Sequence, residues 1–217
     1  DVTILGPEAR AHRGLIRSFQ DSALFPTMTV TDAVAVALER ALPTSFFSSV
    51  VGLSFRERSK QQQARELVSL MGLNPYRDMQ IMELSTGTRR ITEIACLVAT
   101  RPTLLLFDEP STGIAQRETE ALGDLLRHIK DTLGVTLLVI EHDMPLIMGL
   151  ADRIICMADG KIIASGPPDV VQQNPLVVEA YLGGSLSAIE RSGPVRTQDD
   201  LVPAGGPTPG GSTLEGK

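Results

Sequence analysis

The chain has 217 residues, enough for one domain with a sizeable core, and its 42% hydrophobic and 21% charged residues are ordinary for a globular protein. A net charge of -6 argues against a general nucleic-acid binder, leaving room only for a local basic patch. No apolar run reaches the roughly 18 residues of a membrane span, and no signal-peptide pattern opens the sequence.

In chain order, Asp1–Leu5 reads as the end of a strand, and Glu8–Gly14 as a short helix closed by a glycine. Leu15–Phe19 reads as a strand that delivers Gln20. Thr31–Leu42 is a helix capped by Thr31 or Asp32 and stopped by Pro43. A loop with Phe46 and Phe47 follows. Ser54–Met71 has helical periodicity with a charged face, and Gly72 stands where a terminating glycine belongs. Leu84–Gly87 is a small-residue turn, and Arg89–Thr100 a largely apolar helix. After the run at 104–110, Arg117–Leu133 is an amphipathic helix, Val135–Ile140 a second buried parallel strand, and Met144–Leu150 a short helix. Arg153–Met157 and Lys161–Ala164 form a hairpin around Asp159-Gly160, with two short helices near Pro168–Gln173 and Leu176–Leu182. Strands alternating with helices make the fold class α/β. From Gly184 to Lys217 Pro, Gly, Ser and Thr dominate, the composition of a flexible tail or linker. Cys96 and Cys156 read as small buried hydrophobes with no disulfide or metal site, which fits a reducing, cytosolic compartment.

One stretch carries chemistry. Leu104-Leu105-Leu106-Phe107 runs straight into Asp108-Glu109-Pro110. A short bounded apolar run is a buried parallel strand, and Pro110 cannot extend it. The two carboxylates therefore sit at its carboxyl end, where open α/β sheets bind ligands. The bland alternative is a core strand ending in a solvated acidic turn. His142 ends the next strand between Glu141 and Asp143; His12 and His128 lack such a setting and read as structural.

Four elements line up in order: Arg17-Ser18-Phe19-Gln20, Leu84-Ser85-Thr86-Gly87-Thr88, Asp108-Glu109, and Val139-Ile140-Glu141-His142-Asp143. This order resembles the Q-loop, signature, Walker B and H-loop of an ABC transporter ATP-binding subunit, over about residues 1–182. Leu24-Phe25-Pro26, Gly149-Leu150-Ala151-Asp152-Arg153 and Asn174–Gly183 bring it closest to the ATPases of branched-chain amino acid importers. The resemblance implies a P-loop NTPase-like nucleotide-binding domain over 1–183, with a helical subdomain over about 21–100. It implies ATP and Mg²⁺ as cofactors. Asp108 and Gln20 would serve the metal, Gln20 would also contact the attacking water as a catalytic residue, and Glu109 would be the base. His142 would hold the γ-phosphate and the water. Ser85 and Gly87 would contact ATP held by a second ATP-binding subunit, identical or not. Membrane permease subunits would be the other partners, with the protein peripheral on the cytoplasmic face of the cell membrane.

The sequence also departs from that pattern. No Gly-Lys-Ser/Thr loop precedes Gln20, so the phosphate cradle and its strands are missing from this chain. Gly211–Lys217 fits G-x-x-x-x-G-K in letters alone, because no strand precedes it and no helix follows. The non-Met start and the linker-like end favour a piece of a longer polypeptide; the competing reading is a degenerate, non-catalytic subunit. Thr86 and Thr88 alter the signature, and Ala115 stands where Asp or Asn is usual. A third reading, a soluble ABC ATPase of translation or repair, fits the acidic balance and the importer-like C-terminal segment poorly.

Overall fold

A computed structural model describes residues 1–18, 24–41 and 54–181, without the side chains of 54–57, 116 and 117. The chain divides into two compact units, Asp1–Asp152 and Arg153–Lys217.

The first unit is built on a three-stranded parallel sheet. Helix α1 (Pro7–His12) begins with proline, whose missing N–H has no intrahelical partner to lose there. It ends ahead of Gly14, whose φ of +82° turns the chain and whose carbonyl accepts the N–H groups of Thr103 and Leu104. That seats β1 (Leu15–Arg17) parallel to β2 (Leu104–Asp108), with Leu15 level with Leu104. Strand β3 (Thr136–Ile140) pairs parallel on the other side of β2, Asp108 level with Ile140. Residues 1–5 are not a strand. Asp1 Oδ1 accepts both the N–H and the hydroxyl of Thr3, which bends the segment into a turn.

The two faces of the sheet differ. Ile16, Leu105 and Phe107 are buried on one face, with Leu137 and Val139 packed at the edge of the same core. On the other face Leu138 is 54% and Ile140 60% exposed. The run at 135–140 is therefore a parallel strand, as its letters imply, but only alternate side chains are covered. Among the described residues β3 is an edge strand with one uncovered face.

Helices α2 (Val30–Ala41), α3 (Ser54–Leu70) and α4 (Thr86–Ala99) pack on one another. The cap of α2 is Thr29, one turn ahead of Asp32, not Thr31 or Asp32: Thr29 Oγ1 accepts the Asp32 N–H, while Thr31 Oγ1 donates to the Arg77 carbonyl. Gly72 follows α3 at φ +69°. Helix α5 (Gln116–Leu133) crosses from β2 to β3 and buries Leu122, Leu126 and Ile129, spaced by four and three residues on one face. Helix α6 (Met144–Leu150) packs against it.

In the second unit β4 (Ile154–Ala158) and β5 (Lys161–Gly166) pair antiparallel. Asp159 and Gly160 take φ of +49° and +74°, as a two-residue hairpin turn requires. Helix α7 (Pro168–Gln172) and a helix over 175–181 follow. No helix among the described residues is long and apolar enough to cross a membrane. Phe19, Gln20, Phe46, Phe47 and the segment 184–217 lie outside the described residues.

Candidate functional site

At the carboxyl end of β2 the backbone leaves the sheet sharply. Glu109 has φ +47°, a left-handed value that costs a side-chain-bearing residue energy and is kept where its surroundings fix it. Its N–H donates to the Ile140 carbonyl at 2.8 Å, which ties the turn to the end of β3. The turn sends the two acids to different neighbours. Asp108 Oδ2 lies 3.3 Å from Arg17 Nη2 on β1. Glu109 Oε1 lies 3.8 Å from His142 Nδ1, just beyond β3, and Glu109 Oε2 accepts the Thr112 hydroxyl at 3.0 Å. Both members of the Glu109–His142 pair remain open to solvent, 40% and 70% exposed.

His142 is held through its backbone. Its N–H donates to Glu141 Oε2 at 3.2 Å. The next residue, Asp143, caps α6 by accepting the Leu146 N–H at 2.9 Å. A strand end on one side and a helix cap on the other fix the backbone from which the exposed imidazole projects.

Ser85 and Gly87 open α4. The helix begins at Thr86, ahead of the expected Arg89, because Ser85 Oγ accepts the Thr88 N–H at 3.1 Å and makes the small-residue turn its first turn. Thr88 Oγ1 also lies 2.9 Å from Ser85 Oγ, so the altered signature residue engages the serine itself. The Glu118 carboxylate rests against the Cα of buried Gly87. Among the described residues no hydrogen bond joins Ser85 or Gly87 to Glu109 or His142. The link between α4 and the acidic turn is Arg90, whose Nε donates to the Pro110 carbonyl at 3.4 Å and whose Nη1 donates to Glu93 Oε2 at 2.7 Å. Burial pushes the Glu93 carboxyl up against the lowering pull of Arg90. Burial, with the Glu93 charge behind it, pushes the nearby Cys96 thiol up to about 12, so that cysteine is chemically quiet.

Gln20 is outside the described residues; Ser18, the last described residue ahead of it, donates its N–H to the Leu106 carbonyl at 2.9 Å. Arg17, Thr112, Glu118 and Glu141 touch the site residues through contacts that sequence reasoning does not assign to them. A groove of about 600 Å³ lined by Leu38, Leu67, Val98, Arg101 and Val135 includes none of the site residues.

The donor chemistry suits two ligands. Mg²⁺ is held by one or two carboxylates plus water and phosphate, so the partly exposed Asp108 fits it once Arg17 lets go. Over Gly87, at the N-terminus of a 14-residue helix, a carboxylate already fits, so an anionic oxygen has room there.

A sequence profile described as "ABC transporter" matches residues 5–112, and one described as "Branched-chain amino acid ATP-binding cassette transporter" matches residues 161–186. The chain is 36% identical over 176 residues to the "High-affinity branched-chain amino acid transport ATP-binding protein LivG" of Escherichia coli K12, covering 80% of this chain and 69% of LivG. The corresponding BraF protein of Pseudomonas aeruginosa is 35% identical over the same shares. Among solved structures, MJ1267, an ATP-binding cassette of an ABC transporter, superposes with a TM-score of 0.66 at 26% identity, over 83% of this chain and 73% of that one.

Proposed function

The chain belongs to the family of ABC transporter ATP-binding subunits, close to those of branched-chain amino acid importers, and from that premise we propose that its Glu109–His142 face hydrolyses MgATP to energise uptake of such amino acids. The observation that carries this reading is the 3.8 Å approach of His142 Nδ1 to Glu109 Oε1, with Glu109 turned off the strand at φ +47°.

Hydrolysis needs a water aimed at the γ-phosphorus and a base for its proton. Glu109 takes that proton as the water oxygen bonds to phosphorus and the bond to the leaving ADP oxygen breaks. Thr112 orients one oxygen of the carboxylate and leaves the other toward His142. His142 donates a hydrogen bond to the γ-phosphate and helps hold the water. Bound Mg²⁺ spreads the phosphate charge, and Asp108 with Gln20 would hold it. Ser85 and Gly87 receive the γ-phosphate of ATP carried by the opposite subunit of a dimer. Residues 1–183 belong to the nucleotide-binding domain and 184–217 to a tail or linker. The helices over about 21–100 grip the membrane permease subunits, which places the protein peripherally on the cytoplasmic face.

The phosphate cradle must be supplied to this chain before turnover is measured. Joined to a strand with Gly-x-x-x-x-Gly-Lys-Ser/Thr ahead of Asp1, the protein hydrolyses MgATP, and Glu109→Gln lowers turnover about 10²–10⁴-fold with nucleotide binding retained. Full turnover in that variant removes Glu109 as base.

The Ser85-capped start of α4 supports a second reading, in which this chain lends only its Ser85–Gly87 face to a partner's ATP. Near-micromolar MgATP binding by the isolated chain, measured by calorimetry, overturns this second reading.

A further inference from the structure

The proposed chemistry gives Glu141 no task, although it stands directly before His142. Its placement is nonetheless costly. The side chain is fully buried, at 0% exposure, and a carboxylate removed from water must be compensated by hydrogen bonds or charge. Its compensation is specific. Oε1 accepts the backbone N–H of Ser111 at 2.8 Å, and Oε2 accepts the backbone N–H of His142 at 3.2 Å. Ser111 lies two residues beyond Glu109 in the turn whose Thr112 hydroxyl orients the Glu109 carboxylate. One buried carboxylate therefore spans two segments 30 residues apart, one carrying the acid and the other the imidazole.

We propose that Glu141 is a positioning residue that fixes Glu109 and His142 relative to each other by clamping the Ser111 and His142 backbones with its two carboxylate oxygens. It touches neither substrate nor water. The role rests on the hydrolytic reading of Glu109 and His142, but the clamp itself is a property of this chain. A second tie, Glu109 N–H to the Ile140 carbonyl, holds the strand ends together, so losing Glu141 loosens the acidic turn without opening the sheet. A glutamine keeps the shape but has only one acceptor oxygen, and its amide N–H₂ faces one of the two N–H donors. An alanine removes both acceptors.

The first test is amide hydrogen exchange on the 217-residue chain. Glu141→Ala speeds exchange at Ser111 and His142 about tenfold or more, Glu141→Gln does so at one of the two, and the β2 amides keep their protection. The second test is turnover in the cradle-bearing protein. Each variant lowers kcat, up to about a hundredfold for alanine, with KM for MgATP unchanged. Unaltered exchange at Ser111 and His142 in both variants overturns the clamp. So does protection lost evenly across β2 and β3, or loss of activity in step with loss of folded protein, because either makes Glu141 merely structural. If Glu109→Gln leaves turnover intact, the hydrolytic reading fails by itself, and the exchange result still decides whether the clamp exists.

Discussion

A methyl group placed on Gly87 would run into the Glu118 carboxylate, and that collision is of an unusual kind. The obstacle is the tip of an exposed, flexible side chain, which can swing away. The backbone of Gly87 is ordinary helix, where alanine is favoured over glycine by about 1 kcal/mol. Gly87→Ala therefore leaves the denaturation midpoint unchanged or slightly higher, while the methyl fills the space over the N-terminus of α4 that a phosphate oxygen needs. In the cradle-bearing protein the variant folds normally and turns over at least about tenfold more slowly. A variant that unfolds places Gly87 among structural residues; one with full activity removes it from the phosphate path. At this scale the legible residues were those whose chemistry sits in adjacent letters. Asp108-Glu109 after an apolar run, and His142 after another, announce a strand end loaded with polar groups. Arg17, Glu118 and Glu141 could not be read that way. Arg17 meets Asp108 across 91 residues and Glu141 meets Ser111 across 30, and no period or spacing in the chain encodes those contacts.

At the scale of elements, one glycine sets the register of β1 on β2. Gly14 has φ +82°, and a Cβ there would lie 2.8 Å from Thr103 Oγ1 and 2.9 Å from Thr103 N. The backbone nitrogen cannot yield without disturbing the first rung of the sheet. Gly72 has a similar φ of +69° but open space around it. The pair separates two costs. Gly72→Ala loses about 1–2 kcal/mol through the left-handed backbone alone. Gly14→Ala loses that and the clash, about 3 kcal/mol or more in urea denaturation. Equal losses would show that the contact with Thr103 carries no weight. The sequence places most helices within a residue or two, because apolar spacing and caps are local. Where it errs, a side chain chose a different partner. Thr29, not Thr31 or Asp32, caps α2, since Thr31 is spent on the Arg77 carbonyl. Ser85 starts α4 earlier than the apolar pattern does, since capping needs only its hydroxyl and the Thr88 N–H. Residues 1–5 have strand letters, but Asp1 draws them into a turn.

For the whole molecule, the informative feature is the uncovered side of the sheet. Parallel sheets are almost always covered on both faces, and a continuous apolar run such as Thr136–Ile140 is the sequence signature of that cover. Here Leu138 and Ile140 stand more than half exposed on the face that also carries Asp108 and Arg17. The letters describe a strand buried on both sides, and the described residues bury one. Exposed contiguous apolar surface binds hydrophobic dyes, so the 217-residue chain brightens anilinonaphthalene sulfonate while its near-UV circular dichroism remains that of a packed protein. The double variant Leu138→Thr, Ile140→Thr lowers that fluorescence, while Ile155, Met157 and Ile162 of the β4–β5 hairpin, equally exposed, keep the rest, and because both side chains already face out it moves stability by no more than about 1 kcal/mol. Dye binding left unchanged by the double substitution would mean that the apolar surface lies elsewhere, and the face beside Asp108 would then need another explanation for its composition.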